Sequence, residues 1–147
     1  MPLIILASTS RYRRDVLARL ALPLTTRSPN VVEDTIEGEA PATMAGRLAL
    51  AKARSIVVPN TLVIGSDQVA PLDGQLLRKP GTAEVAVAQL RAAQGKTVVF
   101  HTAVAVIATG SGTRLQHVDR TEVLFRRLGD AALERYVRLE SPLDCAG

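Results

Sequence analysis

The feature that most constrains the fold lies at the start of the chain, where an apolar run leads through a polar turn into a helical pattern. Leu3 to Ala7 is continuously apolar, as in a strand that is buried on both faces of a sheet. Ser8-Thr9-Ser10 is a helix-start signal, and Val16, Leu17 and Leu20 then fall on one helical face. This order predicts an α/β fold with a mixed, twisted central sheet and flanking helices.

The rest of the chain continues the alternation of strands and helices. The further predicted strands span Thr25–Val32, Thr61–Gly65, Val69–Leu72, Gln75–Leu77, Thr97–Thr109 and Arg114–Phe125. Asp73-Gly74 is typical of a two-residue hairpin turn. The further predicted helices run from Pro41 to about Ser55, from the cap Thr82 to about Ala93, and from Asp130 to Leu139, the last packing Leu133, Tyr136 and Val137 inward. We expect one domain over residues 1–147.

Composition excludes several classes of protein. Apolar residues make up 47% and charged residues 22%, as in a globular chain, and aromatic residues only 3%, too few to stack several bases of a single strand. The net charge of +4 suits an anionic small molecule, and we expect no nucleic-acid partner. Cys145 is the one cysteine, which excludes an intrachain disulfide, and we expect it to be a small buried hydrophobe. The apolar runs are of strand length, so we expect a cytoplasmic protein without a membrane partner.

The first candidate site is the polar segment from Ser8 to Arg14. Free backbone N–H groups and hydroxyls at a helix N-terminus attract anions, because the helix dipole favours negative charge there. Arg13 and Arg14 lie within one turn and have the geometry to bind phosphate oxygens. The alternative interpretation is a capping motif followed by a solvated basic face.

The second candidate is Asp67, which follows the predicted strand Thr61–Gly65. The carboxyl ends of strands in α/β sheets are where ligands bind. A carboxylate there is suited to orient a water molecule or to hold a hard metal ion. The alternative is a turn aspartate that bonds its own backbone.

A third group of charged residues is dispersed along the chain. Lys52 lies in an apolar helical segment, where either snorkelling or phosphate neutralisation explains a lysine. Lys79 follows the hairpin in a position typical of a solvated loop lysine. Glu33 opens the segment Glu33–Glu39, here called the acidic loop, in which we expect most acids to face solvent. These patterns by themselves point to a phosphate-handling α/β enzyme.

The order of the motifs is more informative than any one of them. The motifs are Leu6-Ala-Ser-Thr-Ser-x-x-Arg-Arg14, Arg47-Leu-Ala-x-x-Lys52-Ala, Gly65-Ser-Asp-Gln68, Lys79-Pro80, and finally Tyr136-Val with Pro142-Leu-Asp-Cys-Ala-Gly147. Together they resemble the Maf family of nucleoside triphosphate pyrophosphatases over the whole chain. Tyr12 and Gln68 further resemble the YceF-like branch, which is associated with 7-methyl-GTP.

The resemblance implies a Maf/ITPase-like fold of two lobes around a cleft, often in a homodimer. It also implies that the α–β phosphoanhydride of a nucleoside triphosphate is hydrolysed with a divalent cation, Mg²⁺ or Mn²⁺. By position, the resemblance implies phosphate binding by Ser8, Arg13, Arg14, Lys52 and Lys79. It implies that Asp67 is the proton acceptor, that Glu33 assists the metal or the water, and that both carboxylates form the metal site. Tyr12 and Gln68 match positions that set base choice.

Two alternatives stay open beside 7-methyl-GTP. One is the same chemistry on dTTP, UTP or another modified nucleotide, and the other is a non-catalytic nucleotide-binding or cell-division regulatory protein. Members of the family continue beyond the position of Gly147, so the resemblance implies a Maf-like domain that ends before the family's C-terminal segment. If the whole protein ends there, its last helix and its sheet edge lose partners, and we expect it to be less stable and poorly active or inactive.

Overall fold

Strands and helices alternate along residues 2–146, the range that the computed structural model describes. The strands are β1 (Leu3–Ala7), β2 (Leu24–Arg27), β3 (Thr61–Val69), β4 (Pro71–Leu72), β5 (Gln75–Leu76), β6 (Thr97–Ala108) and β7 (Arg114–Leu124). The helices are α1 (Arg11–Ala18), α2 (Pro41–Arg54), α3 (Ala83–Ala93) and α4 (Asp130–Glu140). The predicted mixed α/β fold is confirmed. Within this range no helix has the length and the apolar character needed to cross a membrane.

The strands form one large sheet and one small hairpin. The large sheet has the order β2-β1-β3-β6-β7, and β1 is parallel to both β2 and β3. The hairpin pairs β4 with β5 through Asp73 and Gly74, whose φ angles of +51° and +77° are those of a tight two-residue turn. The predicted hairpin turn is therefore confirmed.

The chain divides into two compact units. The first comprises the residues up to Asp67 together with Thr102–Asp119, and the second comprises Gln68–His101 and the residues from Arg120 onward. Two lobes are also what the resemblance to the Maf family implies.

The core of the first unit lies between β1, β3 and the buried face of α2. Leu6 and Val63 are fully buried, and α2 contributes Leu48 and a series of alanines. Gly65 of β3 lies so close to α2 that a Cβ atom there would be 2.1 Å from the carbonyl oxygen of Ala49. This close approach sets the distance between the side chains that α2 and β3 present to each other.

The second unit has its own core and a cavity. Ala70, Leu72, Ala93 and Val98 form a buried cluster, against which Phe100 and Phe125 pack. A cavity of about 440 Å³ is lined by both phenylalanines and Tyr136, among others. The chain has four aromatic residues, and three of them lie around this cavity.

Three predicted details of the elements are wrong. Strand β2 ends at Arg27 rather than Val32, because Pro29 has no N–H group for a sheet ladder. Strand β3 does not stop at Gly65 but continues to Val69. Helix α1 buries none of its residues, and Val16 is 63% exposed. This helix spans only about two turns, and its N-cap, Ser10, accepts a hydrogen bond from the backbone N–H of Arg13.

Two expectations for the C-terminal residues also need correction. In α4, Leu133 and Val137 are buried as predicted, but Tyr136 is 46% exposed because its ring lies at the wall of the cavity rather than in the core. Cys145 is half-buried, and its Sγ lies 3.6 Å from the carbonyl oxygen of Pro142.

Candidate active site

The centre of the candidate site is a lysine that bridges two carboxylates in the first unit. Nζ of Lys52 donates to Oδ1 of Asp67 at 2.6 Å and lies 2.7 Å from Oε1 of Glu33. The side chains of Lys52 and Asp67 are 7% and 9% exposed, whereas that of Glu33 is 54% exposed. A buried ion pair is thus joined to solvent through a second carboxylate.

The positions of Lys52 and Asp67 follow from their elements. Helix α2 begins with Pro41 at its first turn, and its buried face includes Lys52 beside Ala49 and Ala53. Strand β3 alternates in burial, so that Asp67 faces the same side as Gly65. Because Gly65 lets α2 approach β3, the lysine of the helix reaches the aspartate of the strand.

Two of the alternative interpretations, a turn role for Asp67 and snorkelling for Lys52, are wrong. Asp67 is not a turn residue, because it lies inside β3 and its carboxylate binds a side chain rather than its own backbone. Lys52 does not snorkel to solvent, because its ammonium group is buried and paired with Asp67. A buried charge needs such a partner to offset the cost of leaving water.

Burial and neighbouring charges act on Asp67 in opposite directions. Burial raises the pKa of the Asp67 carboxyl above its ordinary value, while the hydrogen bond and the charge of Lys52 lower it. The charge of Glu33 adds to the rise and that of Arg13 opposes it, and the net direction is upward. A carboxylate with a raised pKa is the stronger proton acceptor, which is what a general base requires.

Ser8 and Arg13 form a second part of the site. Oγ of Ser8 accepts hydrogen bonds from the backbone N–H of Ser10 at 3.1 Å and from Nη1 of Arg13 at 3.4 Å. Ser8 directly follows β1, whose last residue, Ala7, pairs with Gly65 of the parallel strand β3. Ser8 and Asp67 therefore follow paired positions at the same edge of the sheet.

Three other predicted site residues, Tyr12, Arg14 and Gln68, are exposed. Arg14 is exposed and pairs with the neighbouring Asp15 at 3.4 Å. The guanidinium carbon of Arg11 lies 4.8 Å from the ring centroid of Tyr12, and Nη2 of Arg11 donates to the Tyr12 hydroxyl. Gln68 is exposed, and it begins the second unit.

Lys79 also lies in the second unit, where it has a partner of its own. Its Nζ is 2.7 Å from Oδ1 of Asp144, and both side chains are more than half exposed. The simple interpretation of Lys79 as a solvated lysine therefore omits an ion pair to the C-terminal region. An exposed pair of this kind contributes little to stability.

Sequence reasoning missed an arginine that holds the acidic loop. Nε and Nη2 of Arg47 donate to the two carboxylate oxygens of Glu39 at 2.7 Å and 2.6 Å, and Nη2 also donates to the carbonyl oxygen of Asp34 at 3.0 Å. Glu33, Asp34 and Glu37 are exposed, as expected for most acids of this loop, whereas the Glu39 side chain is only 8% exposed. The hydrogen bond from Arg47 lowers the pKa of the Glu39 carboxyl. No spacing rule links these two residues, although Arg47 stands in the same motif as Lys52.

The donor set suits a hard divalent cation. Glu33 and Asp67 converge on one point, now held by the Lys52 ammonium group, and both offer carboxylate oxygens. Across residues 2–146 no group of three or more His, Cys, Asp and Glu side chains is placed to hold a metal on its own. Mg²⁺ commonly takes one or two protein carboxylates and completes its shell with water and substrate phosphates, so the residues present fit such an ion.

Comparisons with known proteins agree with the motifs and the fold. The chain is 50% identical to the 7-methyl-GTP pyrophosphatase of Albidiferax ferrireducens over 98% of its length, covering 73% of that relative. It is 54% identical over its whole length to the 7-methyl-GTP pyrophosphatase of Xanthomonas oryzae pv. oryzae, covering 77% of it. A HAM1 protein from Coxiella burnetii shares the fold with a TM-score of 0.53 at 15% identity, over 84% of this chain and 73% of that one.

The family assignment depends on a match that extends through both compact units. A family model described as "Maf-like protein" matches residues 3–147. That range contains every motif on which the resemblance was based, from the Ser8 segment to the C-terminal Pro142 segment. The chain belongs to the Maf-like protein family.

Proposed function

We propose that this protein hydrolyses 7-methyl-GTP to 7-methyl-GMP and pyrophosphate, as a housekeeping removal of modified nucleotides. The observation that carries the proposal is that relatives which are 50% and 54% identical to this chain over the aligned residues are named 7-methyl-GTP pyrophosphatases, and that the chain covers about three quarters of their length. The buried pair of Lys52 and Asp67 supports it, because it offers a base and a cation in one place.

In the proposed reaction the oxygen of a water molecule attacks the α-phosphorus. The bond from the α-phosphorus to the oxygen that bridges it to the β-phosphorus breaks, and pyrophosphate leaves with the electron pair. Asp67 accepts the proton of the water, a role that the raised pKa of its carboxyl favours. Lys52 holds the carboxylate in place through the 2.6 Å hydrogen bond.

The cationic side chains are proposed to bind the triphosphate. Attack on a triphosphate concentrates negative charge, so donors that are positioned beforehand stabilise the transition state. Ser8 and Arg13 are joined to each other and follow the same sheet edge as Asp67, which supports a phosphate role for both. Arg14 and Lys79 are proposed for the same role because they match the family motifs.

A divalent cation is proposed to take part, held by Glu33 and Asp67. When bound, Mg²⁺ or Mn²⁺ supplies positive charge that neutralises the phosphate oxygens. Glu33 is the more exposed of the two carboxylates and is placed to take up an ion that enters from solvent. The resemblance to the family also supports a homodimer. A cytoplasmic location is proposed because nucleoside triphosphates are found in the cytoplasm.

The proposed function is tested by pyrophosphate release from 7-methyl-GTP, GTP, dTTP, UTP and ATP, each with Mg²⁺, with Mn²⁺ and with a chelator. We expect turnover of 7-methyl-GTP well above that of the others, and only with a divalent ion. The Albidiferax ferrireducens relative, assayed in parallel, serves as the positive control.

Other outcomes of the panel each discard a specific part of the proposal. A preference for dTTP or UTP keeps the chemistry and contradicts the substrate. Turnover in the presence of chelator contradicts the metal. Absence of turnover both by this chain and by a variant that carries the C-terminal segment of the Albidiferax ferrireducens relative contradicts the enzymatic proposal and favours the non-catalytic nucleotide-binding alternative.

Tyr12 is proposed to set base choice together with Gln68, because both match the branch that is associated with 7-methyl-GTP. The 7-methylguanine ring carries a positive charge, and stacking on Tyr12 would favour it over guanine by about 0.5–2 kcal/mol, or about 2- to 30-fold. Arg11 lies over one face of the ring, so the base would stack on the opposite face.

Tyr12→Ala is therefore expected to lower the ratio of kcat/KM for 7-methyl-GTP over GTP, and Tyr12→Phe to preserve it. The two variants differ in whether the aromatic ring is present, so the comparison isolates stacking from the hydroxyl group. A ratio that Tyr12→Ala leaves unchanged would contradict the role of the ring.

A further inference from the structure

We infer that Arg47 is a positioning residue that sets the place of Glu33 in the active site by clamping the acidic loop to helix α2. The inference rests on the proposed function. Arg47 stands in a motif of the family, but the resemblance assigned no role to it, and Arg47 touches neither the buried Lys52–Asp67 pair nor, in the proposed reaction, the substrate.

One helix supplies the cations that hold the acidic loop at both ends. Lys52 binds the Glu33 carboxylate at 2.7 Å at the start of the loop. Arg47, five residues earlier on α2, binds the Glu39 carboxylate at the end of the loop with two hydrogen bonds. Nη2 of Arg47 also binds the carbonyl oxygen of Asp34, the residue next to Glu33. The backbone that carries Glu33 is thus fastened directly by Arg47.

The two attachments differ in strength. The contact of Lys52 with Glu33 is a single one, and because the Glu33 side chain is 54% exposed, water competes for its carboxylate oxygens. The contact of Arg47 with Glu39 is a two-pronged pair of charged groups in which the carboxylate is nearly buried. The loop has no helix or strand to order it. The position of Glu33 therefore depends on the Arg47 clamp more than on its own contact.

The inference is tested with Arg47→Met, which keeps a long apolar side chain and removes every donor of the clamp. Arg54→Met is the matched control, because Arg54 is an exposed cation of the same helix and no ion pair is found for it within residues 2–146. Glu39→Gln is a milder second variant that keeps an acceptor and loses the charge. Two measurements are made on each variant, amide hydrogen exchange and turnover of 7-methyl-GTP.

Amide hydrogen exchange measures how firmly Arg47 holds the acidic loop, and it needs no substrate. The amide of Glu39 donates to the carbonyl oxygen of Ile36 at 3.1 Å and reports on the order of the loop. We expect Arg47→Met to speed exchange in residues 34–40 while the amides of α2 and β3 keep their protection. Unchanged exchange in the loop overturns the clamp, and it does so whether or not the protein hydrolyses any nucleotide.

Turnover of 7-methyl-GTP tests whether Arg47 acts on catalysis through the position of Glu33. We expect Arg47→Met to lower kcat/KM about 10- to 100-fold, as losses of outer-shell partners do, and Glu39→Gln to lower it less. In a Glu33→Gln background the same change should cost less than about two-fold, since the group that it positions is already absent. An equal loss in both backgrounds overturns the inference, because a general structural role does not depend on Glu33. Inactivity of the unmodified protein contradicts the proposed function instead, and the exchange result then decides on the clamp.

Discussion

Asp67→Asn is expected to abolish turnover of 7-methyl-GTP while leaving folding and nucleotide binding in place. The amide has nearly the shape of the carboxylate and still accepts the hydrogen bond from Lys52, but it cannot accept a proton from water. General-base catalysis contributes about 10²- to 10⁴-fold to a rate, so we expect a loss of that size in kcat. Single-turnover hydrolysis and equilibrium nucleotide binding, measured on the same preparation, separate the two effects.

The pH dependence follows from the same carboxyl group. Burial raises the pKa of Asp67, so proton acceptance should fail on the acid side at a higher pH than for an ordinary aspartate. An aspartate whose pKa is lowered on folding loses its stabilising contribution as pH falls, and for Asp67 the direction is the opposite. Because the folded pKa lies above the unfolded pKa, the stabilising contribution of this group is present below the unfolded pKa and is lost as pH rises through the folded pKa. Asp67→Asn removes the titrating group, so thermal unfolding measured across a pH series should show a smaller decrease in stability over this rise in pH.

The control for this variant is Asp73→Asn, which makes the same chemical change at an exposed hairpin turn in the second unit. We expect it to leave both kcat and the acid limb of the pH profile unchanged. If Asp67→Asn kept more than a tenth of the turnover of the unmodified protein, Asp67 would not be the proton acceptor.

Gly65→Ala is expected to have the largest effect on stability. A Cβ atom at this position would lie 2.1 Å from the carbonyl oxygen of Ala49 and 2.6 Å from the backbone nitrogen of Ala53. Both atoms belong to the backbone of α2, so the helix itself would have to move away from β3. Overpacking of a core costs about 1–3 kcal/mol and sometimes more, and we expect the upper end or beyond because backbone atoms cannot rotate aside. Thermal unfolding should shift down by about 10 °C for a chain of this size.

The same displacement should reduce activity below the new unfolding temperature, because α2 carries Lys52 and β3 carries Asp67. Gly46→Ala is the matched control on α2, since a Cβ atom there would meet only Cγ2 of Val118 at an ordinary 3.6 Å. An alanine in a helix interior is favoured over glycine by about 0.5–1 kcal/mol, so this variant should be slightly more stable. Similar unfolding temperatures for both variants would show that α2 does not approach β3 as closely as described.

Local signals explain what could be predicted from the sequence. The apolar run of β1, the helix start within Ser8–Ser10 and the Asp73-Gly74 turn depend on neighbouring residues, and each was predicted at its place. Lys52 and Asp67 were predicted separately as candidate site residues. For each the sequence left a structural alternative open, snorkelling for Lys52 and a turn role for Asp67. The contact between them joins residues fifteen positions apart on two elements, so it depends on how closely the elements pack.

The sequence by itself determined the alternation of strands and helices and the family motifs, because these are written in short-range patterns of apolar, capping and turn residues. Tertiary structure alone decided which charges are buried and which meet. It extended β3 through Asp67, left Val16 exposed on a helix that is held by its cap, and joined Arg47 to Glu39. The physical reason is that burial and ion pairing arise from the packing of distant segments, as at Gly65, where the absence of one Cβ atom lets α2 bring its lysine to the aspartate.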